Sequence, residues 1–466
     1  MKTTAASPME QATMRKVTWR VLPYLMICYL VSYIDRVNVG FAAIQMREEM
    51  RLDSAIFGIG ASLFLVTYCL FAVPSNAMLR KVGARKWITF LMVVWGCLSM
   101  GMCLISGPTS FYIFRLLLGA AEAGFLPGVI FYIAQWFPTE YRGRISALFL
   151  LAIPASSFLG SPISVGLMQF HHVGGLSGWQ WLFLMEGFPA ALLGFGFLFF
   201  MQDAPKDAAW LAAPQRQWLQ ETLEAERRAV EPAGPARAPS MLRDMLHPAV
   251  LALSVVYAGV ISIGICLSFW QPQIIKSFGL STFDTGLLNA VPFGFAILAM
   301  IVWGRSSDHF NDRVWHTFIP LVLSGVALCG TIFFHSLPAV IIILTLALVG
   351  TYAAKGPFWA MVTEWLPAGV SATGIGMVSA VGGIAAAAST YLLGIIQKET
   401  GSFALALLPL IILAAIASVV LVISGMRYQS KTRLAQLHAA SEAPSSSSAA
   451  SAASAADSHH VASRSA

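Results

Sequence analysis

Two charged side chains, Asp35 and Arg36, lie next to each other in the middle of a long apolar stretch. This stretch covers residues 21–44, and at about 1.5 Å per helical residue it can cross the roughly 30 Å core of a bilayer. A charge at the bilayer centre costs at least about 2.5 kcal/mol, so such a residue normally faces a polar interior and has a function. A structural ion pair that only fixes helix packing is the alternative interpretation.

Further charges occur in later apolar stretches, at Arg115, Glu122 and Lys355. The spacing of seven between Arg115 and Glu122 places both on one helix face, two turns apart. Asp35 and Arg36 are adjacent, so they point roughly 100° apart and cannot pair through one face. We expect the two carboxylates, Asp35 and Glu122, to share the middle of the membrane.

These residue types indicate a division of roles. The planar fork of an arginine matches a carboxylate and does not deprotonate, which predicts that Arg36 and Arg115 bind an organic anion. Asp35 and Glu122 are predicted to couple protons, because their protonation can respond to whether an anion occupies an arginine. The alternatives are that Arg115 snorkels to the helix end and that Glu122 is a structural carboxylate bonded to a neighbouring helix.

Four other side chains complete the candidate set. Lys355 is expected either to hold the far end of the substrate or to balance the charge of a carboxylate. Tyr33 and Tyr68 offer hydroxyl groups to the substrate, with core packing as the alternative for each. For Glu186, in the outer half of its stretch, we favour a structural role.

The elements that position these residues are membrane helices. With 466 residues, 57% of them hydrophobic and 11% charged, the chain has too little polar surface for a soluble globule. The predicted fold is therefore an all-α polytopic membrane protein. Spanning stretches recur at about 21–44, 57–79, 87–105, 111–136, 145–168, 180–201, 247–270, 284–303, 317–334, 339–362, 371–396 and 403–425.

These twelve stretches form two sets of six. We predict an N-terminal segment at 1–20, a six-helix bundle at 21–201 and a cytoplasmic linker at 202–246. A second bundle follows at 247–425, and a disordered Ala/Ser-rich tail covers 426–466. Most of the 29 Lys and Arg residues fall on the side of the chain termini, which predicts that both termini are cytoplasmic.

Several functional classes are disfavoured by the sequence. The net charge of +7 follows from this membrane topology and does not indicate nucleic-acid binding. The six cysteines suggest neither a disulfide framework nor a metal site, and the nine histidines avoid the interiors of the apolar stretches. No nucleotide-phosphate loop is present. We therefore expect neither an enzyme nor a cofactor, but a protein driven by a proton gradient.

The two halves of the chain resemble one another. PSNAMLRKVGARK at 74–86 corresponds to GRSSDHFNDRVWH at 304–316, and PGVIFYIAQWFP at 127–138 to GPFWAMVTEWLP at 356–367. Duplicated six-helix halves are typical of secondary transporters, in which the substrate site lies at the midplane between the repeats.

Longer motifs resemble one family of such transporters. They are YIDRVNVG at 33–40, RLLLGAAEAG at 115–124, WFPTEYRGR at 136–144, GWQWLFLMEGFPA at 178–190 and AKGPFWA at 354–360. The chain resembles the major facilitator superfamily over about residues 15–430. Within it, the motifs are similar to the anion:cation symporters, which include tartrate, phthalate and hydroxyphenylacetate permeases and, more distantly, sialin. The family commonly has two asparagines where this chain has Ser379 and Gly383, which weakens the transfer of substrate identity.

The resemblance implies proton symport of a small organic anion by a monomer in the inner or plasma membrane, by alternating access. It also implies that charged loops latch the cytoplasmic face, through Arg80, Lys81, Arg85, Asp308 and Arg313. These loop charges could instead be topology signals only. Proton-driven drug efflux and a transporter-like substrate sensor are the alternative functions.

Overall fold

The computed structural model describes residues 7–230, 245–366 and 370–442. Within these ranges, twelve helical segments are long and apolar enough to cross a membrane, and no residue is assigned to a β-strand. The predicted number and type of spans are confirmed. Residues 1–6, residues 231–244 of the predicted linker, residues 367–369 and residues 443–466 of the predicted tail at 426–466 lie outside the described residues.

The first half of the chain forms six spans from eight helices. The fourth span and the fifth span each consist of two consecutive helices, with the breaks at residues 123–124 and 151. The helices are α1 (Pro8–Met50), α2 (Ser54–Val82), α3 (Ala84–Gly101), α4 (Pro108–Glu122), α5 (Phe125–Trp136), α6 (Thr139–Leu150), α7 (Ala152–Met168) and α8 (Gly178–Phe200).

An amphipathic helix and six further spans follow. They are α9 (Ala213–Val230), α10 (Pro248–Lys276), α11 (Thr282–Phe310), α12 (Val314–Cys329), α13 (Leu337–Trp365), α14 (Ser371–Thr400), the short α15 (Phe403–Ala406) and α16 (Leu408–Glu442). The last helix continues beyond residue 425, where the apolar stretch ends. Residues 426–442 are rich in Arg, Lys, Gln, Leu and Ala, which are good helix formers, so the helix does not stop where hydropathy falls.

Helix boundaries follow local hydrogen-bonding chemistry. The side chain of Asp53 accepts a hydrogen bond from the Ile56 amide at 2.9 Å, and Ser281 caps α11 in the same way through Asp284. These residues satisfy amide groups that the first helical turn leaves without a partner. Gly83, with φ of +91°, supplies the sharp turn between α2 and α3 that an L side chain rarely adopts.

The linker helix α9 packs on the first half of the chain. Glu226 pairs with Arg142 at 3.0 Å and accepts hydrogen bonds from Thr139, at the junction of α5 and α6. Just before this helix, Trp210 stacks on Trp136 of α5 with ring centroids 5.7 Å apart. The beginning of the linker therefore belongs structurally to the first bundle.

We name the two sides of the molecule by their helix ends. The terminal face is the side on which α1 begins at Pro8 and which the end of α16 approaches; the distal face contains the turn at residues 51–53. Near the distal face, Gly58 of α2 lies against Gly394 of α14. A β-carbon at either position would meet the other glycine's α-carbon at 3.0 or 2.9 Å, so these two helices touch backbone to backbone.

Candidate functional site

Arg36 of α1 and Glu122 of α4 form an ion pair at the centre of the first bundle. The Arg36 Nε and Nη2 atoms lie 3.0 and 2.8 Å from Glu122 Oε2. Glu122 is almost fully buried, whereas 14% of the Arg36 side chain is exposed. The two residues, for which the sequence predicts separate roles, are thus in direct contact.

Aromatic rings surround the Arg36 guanidinium. Its carbon lies 4.7 Å from the ring centroid of Tyr68, 5.0 Å from that of Tyr33 and 5.5 Å from that of Phe64. Rings at these distances attract a cation through their quadrupoles. Tyr33 and Tyr68, both in the predicted set, therefore line the position of Arg36, with Tyr33 buried and Tyr68 half-buried.

Arg115 of α4 is buried within the protein and forms no ion pair in the part of the chain described. Its Nε donates a long hydrogen bond of 3.4 Å to the Gly60 carbonyl, and its Nη2 has no hydrogen-bond partner. The guanidinium lies over the rings of Phe64 and Phe269, at 4.4 and 5.7 Å from their centroids. Because the side chain is only 1% exposed, the snorkelling alternative is wrong.

Asp35 points to a different side of α1 from Arg36, as expected for adjacent residues. Its Oδ1 accepts hydrogen bonds from Ser99 of α3 and from Asn38, the latter at 3.2 Å. Its Oδ2 is buried without a partner. Asp35 and Glu122 have different immediate surroundings, because Ser99 and Asn38 contact the first and Arg36 contacts the second.

Lys355 belongs to the second half of the chain and is half-buried on α13. Its ammonium lies 3.9 Å from the ring centroid of Tyr352 and near Gly264 of α10. It has no ion pair with Asp35 or Glu122, each of which has other partners. Lys355 therefore makes no direct ion pair with either carboxylate in this conformation, and both interpretations, a substrate contact and a counter-charge, stay predictions.

The two halves are joined near the distal face. Lys398 of α14 pairs with Asp53 at 3.1 Å, and Asn289 of α11 donates to Ser161 of α7 at 2.8 Å. The Asp53–Lys398 pair lies at the distal ends of α2 and α14, farther from the terminal face than Arg36, Arg115 and Lys355. These contacts join the two halves on the distal side.

The predicted latch residues make their contacts within their own halves. Arg85 donates to the Leu198 carbonyl at 2.8 Å, and its amide donates to Asp203. Arg313 pairs with Asp308 at 2.8 Å and with Glu364 at 3.4 Å. These bonds hold helix ends and loops within one bundle.

The other two latch residues, Arg80 and Lys81, are exposed in the last turn of α2 and form no ion pair in the described ranges. Cations at this end of a helix interact favourably with the backbone dipole. In this conformation, no predicted latch residue connects the two halves through an ion pair between described residues.

Several residues of the site escaped the sequence analysis. Phe64 and Phe269 contact the guanidinium groups, Ser99 and Asn38 bond to Asp35, and Tyr257 of α10 lies near Tyr33 and Tyr68. Phenylalanine and serine are common in membrane helices, so only the helix packing distinguishes these positions. The sequence does indicate Asn38 as a neighbour of Asp35, because it lies one turn further along the same helix.

Comparison with known proteins identifies the family. The model of the Major Facilitator Superfamily matches residues 25–390, most of the chain. The chain belongs to this superfamily. It is thus a multi-pass membrane transporter and not an enzyme, as the sequence predicts.

Individual relatives agree with this assignment. The chain is 44% identical over 398 residues to an Agrobacterium vitis protein provisionally named a tartrate transporter, covering 85% of this chain and 91% of the relative. It is 36% identical over 399 residues to the quinolone resistance transporter of Acinetobacter baumannii, covering 85% and 91%. The crystal structure of a D-xylose-proton symporter shares the fold with a TM-score of 0.69 at 14% identity, covering 86% and 97%.

Proposed function

We propose that the transporter is a proton-coupled symporter that takes up a small organic anion, such as a tartrate-like dicarboxylate or an aromatic acid. The observation that carries this proposal is the buried Arg115 guanidinium, which has an Nη2 group without a partner. An unpaired buried charge is costly, and a bound carboxylate would compensate it through two parallel hydrogen bonds.

The Arg36–Glu122 pair supports coupling to protons. While Glu122 is ionised, its carboxylate accepts hydrogen bonds from Nε and Nη2 of Arg36 and holds the guanidinium in place. A proton on Glu122 removes the charge that attracts Arg36, so the arginine becomes available to a substrate carboxylate. Proton binding therefore favours anion binding at the same place, which is the requirement for symport.

Lys355 supports a substrate with more than one acidic group. It approaches from the second half of the chain, whereas Arg36 and Arg115 belong to the first. A dicarboxylate held at both ends would contact both bundles, as alternating access around a midplane site requires. The relative provisionally named a tartrate transporter is consistent with such a substrate.

In this proposal the protein lies in the inner or plasma membrane with both termini in the cytoplasm, as the positive-inside rule favours. The terminal face is then cytoplasmic, and closure near Asp53 and Lys398 corresponds to an inward-facing state. A monomer is sufficient, and the proton gradient replaces a cofactor.

Proton-driven efflux is the second candidate, favoured by the relative named a quinolone resistance transporter. Both functions would use the intramembrane carboxylates. They differ in the direction of coupling, because an acidic exterior drives a symport substrate inward and an antiport substrate outward.

The test is uptake of radiolabelled tartrate and phthalate into proteoliposomes containing the purified full-length protein. We expect accumulation when the exterior is acidic relative to the lumen, and its collapse on addition of a protonophore. Accumulation that requires an acidic lumen would support antiport instead. Failure of both acids to exchange in a counterflow assay would contradict carriage of these anions and favour the sensor alternative.

A further inference from the structure

A third buried carboxyl, besides Asp35 and Glu122, lies on α8. Glu186 of α8 is 5% exposed, and its Oε1 accepts a hydrogen bond of 2.7 Å from Ser164 of α7. Its Oε2 is buried without a partner. Glu186 forms no ion pair with any cation in the described ranges, in contrast to Glu122.

The surroundings provide no fixed positive charge for Glu186. Among the cations of the packed helix α1, Arg36 pairs with Glu122, and the others lie toward the helix ends, at Arg15, Lys16, Arg20 and Arg47. The packed helix α7 contains no ionisable residue, and the cations of α3, Arg85 and Lys86, lie at the opposite end of that helix from Glu186.

A carboxylate that is buried without a cation is costly, so a carboxyl in such a place normally holds a proton. We propose that Glu186 is a proton-binding site of the transport cycle. This inference rests on the proposed proton coupling, and it assigns to Glu186 a role beyond the structural one that its sequence motif suggested.

The test compares wild type with Glu186→Gln in proteoliposomes that accumulate radiolabelled tartrate under a gradient of one pH unit. Gln can retain the hydrogen bond from Ser164 but cannot bind and release a proton. Each coupled proton contributes about a factor of ten to accumulation per pH unit. We expect the variant to accumulate about tenfold less tartrate than wild type while its counterflow persists.

Ser164→Ala is the matched control. It removes the hydrogen bond to Glu186 but leaves the carboxyl in place, so it should lower thermal stability without changing the accumulation ratio. If Glu186→Gln is not recovered as folded protein, Glu186→Asp should retain the accumulation ratio and shift the pH of half-maximal uptake.

The outcomes separate the two proposals. Equal accumulation by wild type and Glu186→Gln, the same loss in Ser164→Ala, or an unchanged pH profile in Glu186→Asp would overturn the role of Glu186 and leave proton symport standing. A wild-type protein that accumulates no tartrate under the gradient would overturn the proposed tartrate symport together with this inference.

Discussion

Arg36 directs two hydrogen bonds to a single oxygen of Glu122, with Nε at 3.0 Å and Nη2 at 2.8 Å from Oε2. The residue predicted to bind the anion is thus held by a residue predicted to carry a proton. In the proposed cycle, two ligands of opposite charge, the proton and the substrate carboxylate, act on this same pair. In that proposal, the Arg36–Glu122 contact links proton binding to anion binding, which two residues lying apart could not do.

Glu122→Gln is expected to abolish proton-driven accumulation and to preserve counterflow. The neutral amide resembles the protonated acid and leaves Arg36 free, so tartrate should bind about tenfold more tightly, since a hydrogen bond to a charged group contributes about 1.5 to 3 kcal/mol. Uptake and counterflow on the same proteoliposomes, with calorimetry of tartrate binding, provide the measurements.

Asp35→Asn is the companion variant, and at least one of the two should show this separation of activities. A variant that retains full proton-driven accumulation would remove its residue from the coupling mechanism. Parallel loss of both activities and of folded protein would indicate a structural carboxylate.

Arg115→Met should abolish anion binding and raise the thermal stability of the substrate-free protein. The native guanidinium is buried without an ionic partner, and an apolar side chain of similar length removes that cost. Arg115→Lys should also transport poorly, because a point charge does not replace a bidentate fork.

Thermal unfolding with and without tartrate checks this prediction. Without tartrate, Arg115→Met should unfold at a higher midpoint temperature than wild type. Adding tartrate should not raise the midpoint of this variant further. Normal uptake in Arg115→Lys or Arg115→Met would refute the assignment of Arg115 to the anion site.

Lys355→Met should weaken binding of a dicarboxylate such as tartrate by at least about tenfold and affect a monocarboxylate less. The reason is that the Lys355 ammonium has no anionic partner among the described residues and rests on the Tyr352 ring. Lys276→Met is a suitable control, because Lys276 bonds to the Leu280 carbonyl near the distal face. Equal weakening for both classes of acid would argue against recognition of the second acidic group.

Much of this arrangement could be predicted from sequence because the bilayer imposes strong rules. Length and hydropathy give the twelve spans, and the rarity of intramembrane charges marks Asp35, Arg36, Arg115 and Glu122. The periodicity of a helix also predicts that Asp35 and Arg36 face different sides of α1. The family resemblance agreed with these inferences and was confirmed by the family match.

The partners of those charges could not be predicted, because they depend on which helices meet. Helical periodicity gives the side of a helix on which Arg36 lies, but the residue opposite it depends on how α1 and α4 are rotated. The same applies to Lys355. The sequence predicts that it belongs to the second half of the chain, but it does not predict that its ammonium lies on the Tyr352 ring. The family resemblance implied the latch residues, and neither it nor the loop charge distinguishes contacts within one half from contacts between halves.

The last prediction concerns the Asp53–Lys398 pair that joins the halves near the distal face. Asp53→Asn should retain the cap of α2, because Asn caps helices as well as Asp, but lose the ion pair. An exposed pair contributes at most about 1 kcal/mol, so opening of the distal face should increase by up to about fivefold. A cysteine at the buried position Ser54, in a background without the native cysteines, reports this opening through its labelling rate.

The pH dependence of the same measurement tests the pair without a mutation at Asp53. Burial opposes ionisation, but hydrogen bonds from the Ile56 amide and Lys398 hold the pKa of Asp53 below its ordinary value. The carboxylate, and with it the ion pair, therefore persists at neutral pH and is lost only as the pH falls below about 4. An intact pair therefore predicts a labelling rate at position 54 that is constant between pH 5 and 8, after the rate is corrected for the fraction of the cysteine present as thiolate. Lys398→Met removes the same ion pair without touching the cap of α2 and should raise the labelling rate as Asp53→Asn does. If Asp53→Asn labels no faster than wild type, the pair does not hold the distal face closed.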